Sequence, residues 1–168
     1  MRPCFPLCLL VSVALGLASV APAPGWAGVR AGLVAYKQGD FATALHEFRP
    51  LAEQGDRDAQ FYLGTMYTKG WGVAPNPGEA ARWYQRAARQ GVAEAQYNLG
   101  VMYTRGEGVP QDLVQAYLWL ALAAMRFPRG ESHTTAVQTR DRVAAQLTPE
   151  QWTQAQALVR QWSSQPAP

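Results

Sequence analysis

The chain has 168 residues, with 15 lysines and arginines against 12 aspartates and glutamates, which gives a formal net charge of +3. This surplus is small and no dense basic run accompanies it, so the composition argues against a nucleic-acid-binding protein. Hydrophobic residues make up 48% of the chain, enough for one domain with a sizeable core.

The first residues have the order of a secretory signal peptide. Arg2 precedes the apolar stretch Leu7–Val20, and small residues and prolines follow before Gly28. Cleavage after Ala27 is favoured over an alternative site four residues earlier, which would leave a proline just after the cut. We therefore expect residues 1–27 to be a leader and the mature protein to be periplasmic or secreted.

Both cysteines, Cys4 and Cys8, lie within this leader. The mature chain would carry no thiol, so it would be free of disulfides although it is exported. Only one domain is expected, over residues 28–162, followed by a disordered tail over residues 163–168.

The middle of the chain repeats itself. The fifteen residues Ala59–Val73, AQFYLGTMYTKGWGV, return thirty-six positions later as AQYNLGVMYTRGEGV, with ten identities. A period of this size indicates a solenoid of stacked helix pairs. With a looser unit upstream, the repeats span about residues 31–55, 56–91 and 92–127, and three repeats are the usual minimum for a self-supporting stack.

The second helix of each repeat shows one apolar face, with apolar residues at the i, i+3, i+4 and i+7 spacing of a helix. The predicted face consists of Ala44, Phe48, Leu51 and Ala52 in the first unit, Ala80, Trp83, Tyr84, Ala87 and Ala88 in the second, and Ala116, Trp119, Leu120, Ala123 and Ala124 in the third. The same spacing places Tyr67 and Tyr103 in the core. The run Leu113–Met125 is too short to span a membrane and predicts a buried helix.

Two glycines stand inside predicted helices, where each costs about 1 kcal/mol relative to alanine. We expect a partner helix to approach closely at Gly64 and Gly100, with Trp83 or Trp119 packed over the glycine. On that prediction, Trp83→Ala would cost roughly 3 to 5 kcal/mol.

The connections differ between units. The turn at residues 38–40 is tight, whereas the second and third units have longer loops that begin with Gly70 and Gly106, each suited to a left-handed helix end. Asn76 is placed to cap the following helix, which starts with a proline. Trp71 is not required by the repeat, since Glu107 stands at its place in the next unit. It either projects as an exposed anchor or folds back over its own helix pair.

After Met125 the period fades, but the ranges Thr134–Leu147 and Pro149–Trp162 still have the pattern of helices. Thr148 and Gln151 are placed for a capping box at the start of the second of these helices. We interpret residues 132–162 as a terminal cap of the stack, because terminal repeats must face water and are usually atypical.

The pattern A-Q-x-x-L-G-x-M-Y-x-x-G-x-G-V, followed by A-x-x-W-x-x-x-A-A-x-x-G, resembles the Sel-one-like repeat, a relative of the tetratricopeptide repeat. The match is carried by two units, at Ala59–Gly91 and Ala95–Ala124, and the second of these has Phe127 where the closing glycine belongs. The resemblance implies an all-α fold, a right-handed α-solenoid of antiparallel helix pairs with C-terminal capping helices, used as an adaptor.

In such stacks the first helix of each pair tends to line the concave side. Carried onto this sequence, the resemblance implies a partner-binding groove formed by Phe61, Thr65, Thr68, Lys69, Tyr97, Val101, Thr104 and Arg105. The aromatic and basic side chains of this set suit an extended peptide and its carboxylates. The alternative is that Phe61 and Tyr97 pack between neighbouring units, and that Lys69 and Arg105 only complement helix C-termini.

The sequence offers little for catalysis. The two histidines, His46 and His133, lie in different units, and neither a zinc-protease motif, a phosphate loop nor a nucleophile elbow is present. We therefore expect a non-catalytic scaffold of the bacterial cell envelope that binds a protein or peptide, with no metal and no cofactor. The alternative is a cell-wall-directed enzyme or a glycan- or β-lactam-binding protein. Some exported members of the family are linked to penicillin binding or hydrolysis, but this chain lacks their paired cysteines.

Overall fold

The computed structural model describes residues 24–164, with side chains from Val29 onward. Eight helices and no strands are found in this range. They are α1 (Pro24–Gln38), α2 (Phe41–Glu53), α3 (Arg57–Lys69), α4 (Pro77–Arg89), α5 (Ala93–Arg105), α6 (Leu113–Arg126), α7 (Glu131–Ala144) and α8 (Pro149–Ser163). Residues 1–23 of the expected leader lie outside the described residues. Its last four positions, residues 24–27, form the start of α1. Of the expected tail, residues 165–168 also lie outside the description, while α8 extends to Ser163.

The helices pack in chain order, each against the next from α1 to α7. The all-α solenoid predicted from the repeat is confirmed. The last helix departs from this order, because α8 packs mainly on α6 instead of on α7. Helices α7 and α8 thus both cover α6. Helix α7 also begins and ends three residues earlier than the sequence predicts.

Local chemistry explains where most helices begin and end. The side chains of Asp40, Asp56, Asn76 and Asp112 each accept a backbone N–H at the start of α2, α3, α4 and α6. The predicted capping box between Thr148 and Gln151 is present at the start of α8.

The left-handed helix ends predicted at two glycines are also present. Gly70 ends α3 with a φ of 73°, and Gly106 ends α5 with a φ of 71°. In both cases the glycine N–H bonds back to a methionine carbonyl one turn earlier. The two long loops therefore leave their helices in the same way.

The predicted apolar faces form the core, with one exception. Phe48, Tyr84 and Leu120 occupy equivalent places in α2, α4 and α6 and are each at most 2% exposed. Trp119 is buried as expected, but Trp83 is only half-buried, with the Arg86 guanidinium 4.6 Å above its ring. Tyr67 and Tyr103, which were also expected in the core, are half-buried as well.

The glycines do mark close helix contacts, but the residues that cover them are not the predicted tryptophans. A Cβ at Gly64 would lie 2.6 Å from the ring of Tyr84, and one at Gly100 would lie 2.7 Å from Leu120. Trp83 and Trp119 are one position earlier on their helices, about 100° around the axis, which turns them away from the glycine. The same contact joins Gly32 to Phe48, a pair that the sequence analysis missed.

Candidate binding groove

A groove of about 660 Å³ runs along one side of the solenoid, between α3, α5 and α7. Seven of the eight residues proposed from the sequence line it: Thr65, Thr68, Lys69, Tyr97, Val101, Thr104 and Arg105. The third wall was not predicted. It comes from α7, which contributes Thr139, Arg142 and Val143, and from Gln146 just after the end of this helix.

Helix geometry brings the predicted residues together. Tyr97, Val101, Thr104 and Arg105 follow the i, i+4, i+7, i+8 pattern, so they share one face of α5. The set on α3 has the same spacing one repeat earlier, and because the pairs stack in register the two faces become neighbours. Whether these residues bind a partner stays a prediction.

The groove threonines hydrogen-bond mainly within the protein. Thr68 Oγ1 donates to the carbonyl of Gly64 at 2.8 Å, and Thr104 Oγ1 donates to that of Gly100 at 2.9 Å. Thr65 Oγ1 accepts from the hydroxyl of Tyr84 at 3.2 Å. Because these hydroxyls are engaged within the protein, they are less available to a guest in the groove.

One end of the groove is basic. Lys69, Arg105 and Arg142 each stand in the last turn of their own helix, and all three are exposed. The only acidic residue that lines this groove within the described range is Glu107, 3.5 Å from Arg105. Pairs this exposed contribute little to stability. The basic residues do complement helix C-termini, as the alternative interpretation requires, and they also point three positive charges toward one end of the groove.

Phe61, the eighth predicted residue, lines a smaller pocket of about 380 Å³ that adjoins the groove. Tyr97 and Asn98 line both spaces. The remaining residues of this pocket are Glu94, Phe127, Glu131, Ser132 and Thr135. Sequence reasoning missed all five, although the loss of the repeat's closing glycine at Phe127 was a visible signal.

The two groove aromatics, Phe61 and Tyr97, pack within the stack on one side only. The Phe61 ring lies 5.3 Å from that of Tyr62 and 6.0 Å from that of Tyr84, so one side of it packs within the stack. Tyr97 packs against the small cluster of Ala116, Leu120 and Val143. Each ring is only half-buried and leaves its other side toward the pocket.

The edge of the stack near this pocket is acidic. Burial raises the pKa of Tyr62 above its usual value, and the nearby carboxylates of Asp58 and Glu94 raise it further. Tyr62 therefore stays neutral across the physiological range. The influence of both carboxylates on one side chain shows that the first turns of α3 and α5 bring their negative charges to the same edge.

Trp71 is not an exposed anchor. Its ring stacks on Phe41 with 4.8 Å between centroids and meets Tyr36 edge-on at 5.7 Å. The second interpretation, that Trp71 folds back over a helix pair, is therefore the right one, but the pair is the preceding one, α1 and α2, and not its own. This contact fastens the second repeat to α1 and α2.

Within residues 29–164, no group of three or more His, Cys, Asp or Glu side chains is arranged to hold a metal ion. His133 Nδ1 lies 2.9 Å from the carbonyl of Ala124, and His46 is exposed beside Glu47. In the same part of the chain, no helix combines the length and the apolar character needed to cross a bilayer. Helix α6 is buried within the fold, as predicted.

A family model described as "Sel1 repeat" matches residues 57–92 and 93–126. These ranges coincide with the second and third predicted repeats, and the looser first unit is not matched. No protein with a curated description matches the chain.

Solved structures that share the fold include two bacterial proteins. Protein c5321, a protective antigen present in uropathogenic Escherichia coli strains and described as displaying an SLR fold, superposes with a TM-score of 0.76 at 31% identity. The match covers 86% of this chain and 31% of that one. A Sel1 repeat protein from Oxalobacter formigenes superposes with a TM-score of 0.61 at 28% identity, covering 79% of this chain and 55% of the other. The chain thus spans about a third to a half of the length of these structures.

Proposed function

We propose that this chain, which carries two Sel1 repeats in a Sel1-type solenoid, is a non-catalytic scaffold that binds a peptide segment of a protein partner in its groove. The observation that carries the proposal is the groove itself, in which both repeats and the closing helix α7 present side chains to one continuous surface. Sel1 repeats generally serve protein–protein interaction, and that coarser role is supported by the repeat fold alone.

The shape and chemistry of the groove suit an extended segment. Tyr97 and Val101 offer apolar contact area, while Lys69, Arg105 and Arg142 offer charge-assisted hydrogen bonds to a carboxylate at one end. The walls are helices that pack on their neighbours, so the receptor loses little conformational freedom when a flexible partner docks.

We place this activity in the bacterial cell envelope, on the basis of the leader expected at residues 1–27. The test is to express the full chain in a bacterium, fractionate the cells and sequence the N-terminus of the protein. Export predicts a periplasmic or secreted product that begins at Gly28. Protein retained inside the cell with its first residues intact would contradict the placement.

Affinity capture from envelope extract tests the binding role. The bait is compared with a groove variant, Lys69→Glu with Arg105→Glu, and with a control variant, Arg89→Glu with Arg160→Glu. All four substitutions reverse a basic charge in the last turn of a helix, but only the first two lie in the groove. We expect one partner to be retained by the protein and by the control and lost by the groove variant.

Equal retention by all three baits would contradict the groove as the binding surface. If no protein is retained and the purified protein instead turns over wall fragments or a β-lactam, the alternative of a cell-wall-directed enzyme would replace the scaffold. Where a partner is captured, it is purified and titrated against the protein directly, which excludes retention through a third protein.

A further inference from the structure

The pocket beside the groove has aromatic walls that the repeat does not require. Phe61, Tyr97 and Phe127 line it, and all three rings are half-buried. Phe61 and Tyr97 hold equivalent positions in consecutive repeats, thirty-six residues apart. Phe127 instead replaces the glycine that closes the earlier units at Gly55 and Gly91.

The role of Phe127 is not explained by the stack. Gly55 and Gly91 have positive φ angles of 102° and 84°, which glycine adopts without strain, whereas Phe127 has an extended backbone with φ −63° and ψ 132°. Within the described residues its side chain belongs to none of the three hydrophobic clusters of the core. Its ring is an apolar surface presented to the pocket.

Two carboxylates complete the pocket. Glu94 stands in the first turn of α5 and Glu131 in the first turn of α7, and both are exposed. Neither forms a salt bridge within residues 29–164, and no lysine or arginine lines the pocket. The positive ends of the two helices offset part of this charge. Ring faces and carboxylates both attract a cation, so together they favour a positively charged guest.

We propose that this aromatic pocket receives a lysine or arginine side chain of the same segment whose carboxylate lies at the basic end of the groove. The inference rests on the proposed function and adds the chemistry of the partner. Tyr97 and Asn98 line both the pocket and the groove, so a single extended segment reaches both. The two sites have opposite charge, which fixes the direction in which the segment lies.

The spacing of the two charges in the partner follows from α5. Glu94 and Arg105 are eleven residues apart on this helix, which at 1.5 Å per residue is about 16 Å. An extended strand advances about 3.3 Å per residue, so a segment lying along α5 covers this distance in about five residues. The partner segment therefore carries a basic residue about five positions from an acidic side chain or from its own C-terminal carboxylate.

The test begins with a random dodecapeptide library selected against the purified protein. Selected peptides are synthesised with a fluorophore and titrated by anisotropy. We expect them to share a lysine or arginine about five positions from a carboxylate, and we expect replacement of that basic residue by glutamine to weaken binding about tenfold. Amidated peptides distinguish the two sources of the carboxylate, since amidation removes a terminal one and leaves a side-chain one.

Protein variants then locate the basic residue. The double variant Glu94→Gln with Glu131→Gln is expected to bind the selected peptide about tenfold more weakly. Its affinity for the peptide in which glutamine replaces the basic residue is expected to stay unchanged, as a double-mutant cycle requires. Phe127→Leu, which keeps an apolar side chain but removes the ring face, is expected to weaken the charged peptide severalfold. Glu150→Gln is the matched control, because Glu150 also stands in the first turn of a helix, α8, and lines neither space.

The outcomes separate this inference from the proposed function. One outcome is that the peptides bind more weakly to the Lys69→Glu, Arg105→Glu variant but equally well to the variants at Glu94, Phe127 and Glu131. This result would contradict the aromatic pocket as the site of the basic residue and would still support binding in the groove. Selected peptides without a shared basic residue would do the same. A library that yields no binding peptide would overturn both proposals.

Discussion

The helix pairs α3–α4 and α5–α6 share one packing scheme but differ at the positions where they meet their neighbours. In both pairs a buried glutamine, Gln60 or Gln96, donates to the carbonyl of an alanine in the preceding helix at 3.0 Å. In both, a mid-helix glycine lies under a large side chain of the partner helix. The residues that the two pairs share are thus the ones that make the contacts between stacked helices.

The differences follow the environment of each pair. Trp71 reaches the aromatic cluster of α1 and α2, whereas Glu107, its counterpart, lies exposed at the end of the groove. Gln90 bridges Gln60 to the carbonyl of Gly55, whereas Arg126 holds its place in the next pair. There the Gln96 Oε1 atom is buried with no partner among the described residues. Departures between the two repeats are therefore found at a junction with the first helix pair and at the end of the groove.

The largest predicted effect tests the shared scheme. Tyr84→Ala removes a fully buried ring from above Gly64 and is expected to lower the free energy of unfolding by about 3 to 5 kcal/mol. The neighbouring Trp83→Ala is expected to cost only about 1 to 2 kcal/mol, because its side chain is already partly exposed. Urea denaturation followed by circular dichroism measures both.

Leu120→Ala is the matched variant in the next pair, since Leu120 covers Gly100 as Tyr84 covers Gly64. We expect it to cost about 2 to 5 kcal/mol. A larger loss for Trp83→Ala than for Tyr84→Ala would refute the assignment of the covering residue.

The next effect tests the junction with α1 and α2. Trp71→Glu makes the second loop resemble the third and removes the stack on Phe41, so we expect a loss of about 1 to 3 kcal/mol. The reverse exchange, Glu107→Trp, is expected to gain nothing, because the third loop meets Pro77 at the place where the second loop meets Phe41, and a proline offers no aromatic ring to stack on. Equal and opposite effects of the two exchanges would show that the loops are interchangeable.

A smaller effect compares the two buried glutamines. Gln60→Met removes two hydrogen bonds, the one to the Ala52 carbonyl and the one from the Gln90 amide, whereas Gln96→Met removes only the one to the Ala88 carbonyl. The two carbonyls still accept the backbone N–H groups of Gly55 and Gly91, and the Gln90 amide keeps its bond to the Gly55 carbonyl. We therefore expect Gln60→Met to be more destabilising by about 1 kcal/mol. Thermal and urea melts of the two variants, run side by side, measure the difference. Equal melts would mean that the Gln90 bridge contributes nothing.

The smallest effect concerns the start of the first helix in each pair. Asp56 accepts the N–H of Ala59 at 2.8 Å to cap α3, while Val92 at the equivalent place of α5 makes no side-chain cap. Asp56→Val is expected to cost about 1 kcal/mol. Asp56→Asn, which keeps the accepting oxygen, serves as the control. Its failure to recover most of the loss would point away from capping.

Much of the fold is predictable from the sequence because the repeat is local. The helix ends at Gly70 and Gly106 and the capping box at Thr148 depend on residues within a few positions of one another. That the chosen faces of α3 and α5 line one groove follows from helical spacing together with the family resemblance. The positions of these residues therefore agree with the structure, while their role in binding stays a prediction.

The remaining features depend on contacts between distant helices. Trp83 and Tyr84 both fit the apolar spacing, and only the crossing of α3 and α4 decides which of them covers Gly64. The groove wall at Arg142 and Val143 belongs to α7, where the repeat has faded and no neighbouring unit serves as a template. The aromatic pocket was missed for the same reason, since Glu131 opens that helix.

The position of α8 limits how this protein can be lengthened. Its Trp162 lies 5.1 Å from Trp119 and its Trp152 lies 5.1 Å from Tyr117, both on α6, so the surface on which a further helix pair would stack is occupied. A duplicated unit inserted between residues 91 and 92 would pack against a repeat on both sides. A unit added after residue 127 would have to displace α8. We therefore expect an extra unit to be accommodated between residues 91 and 92, and to disturb the packing of α8 on α6 when it is added after residue 127.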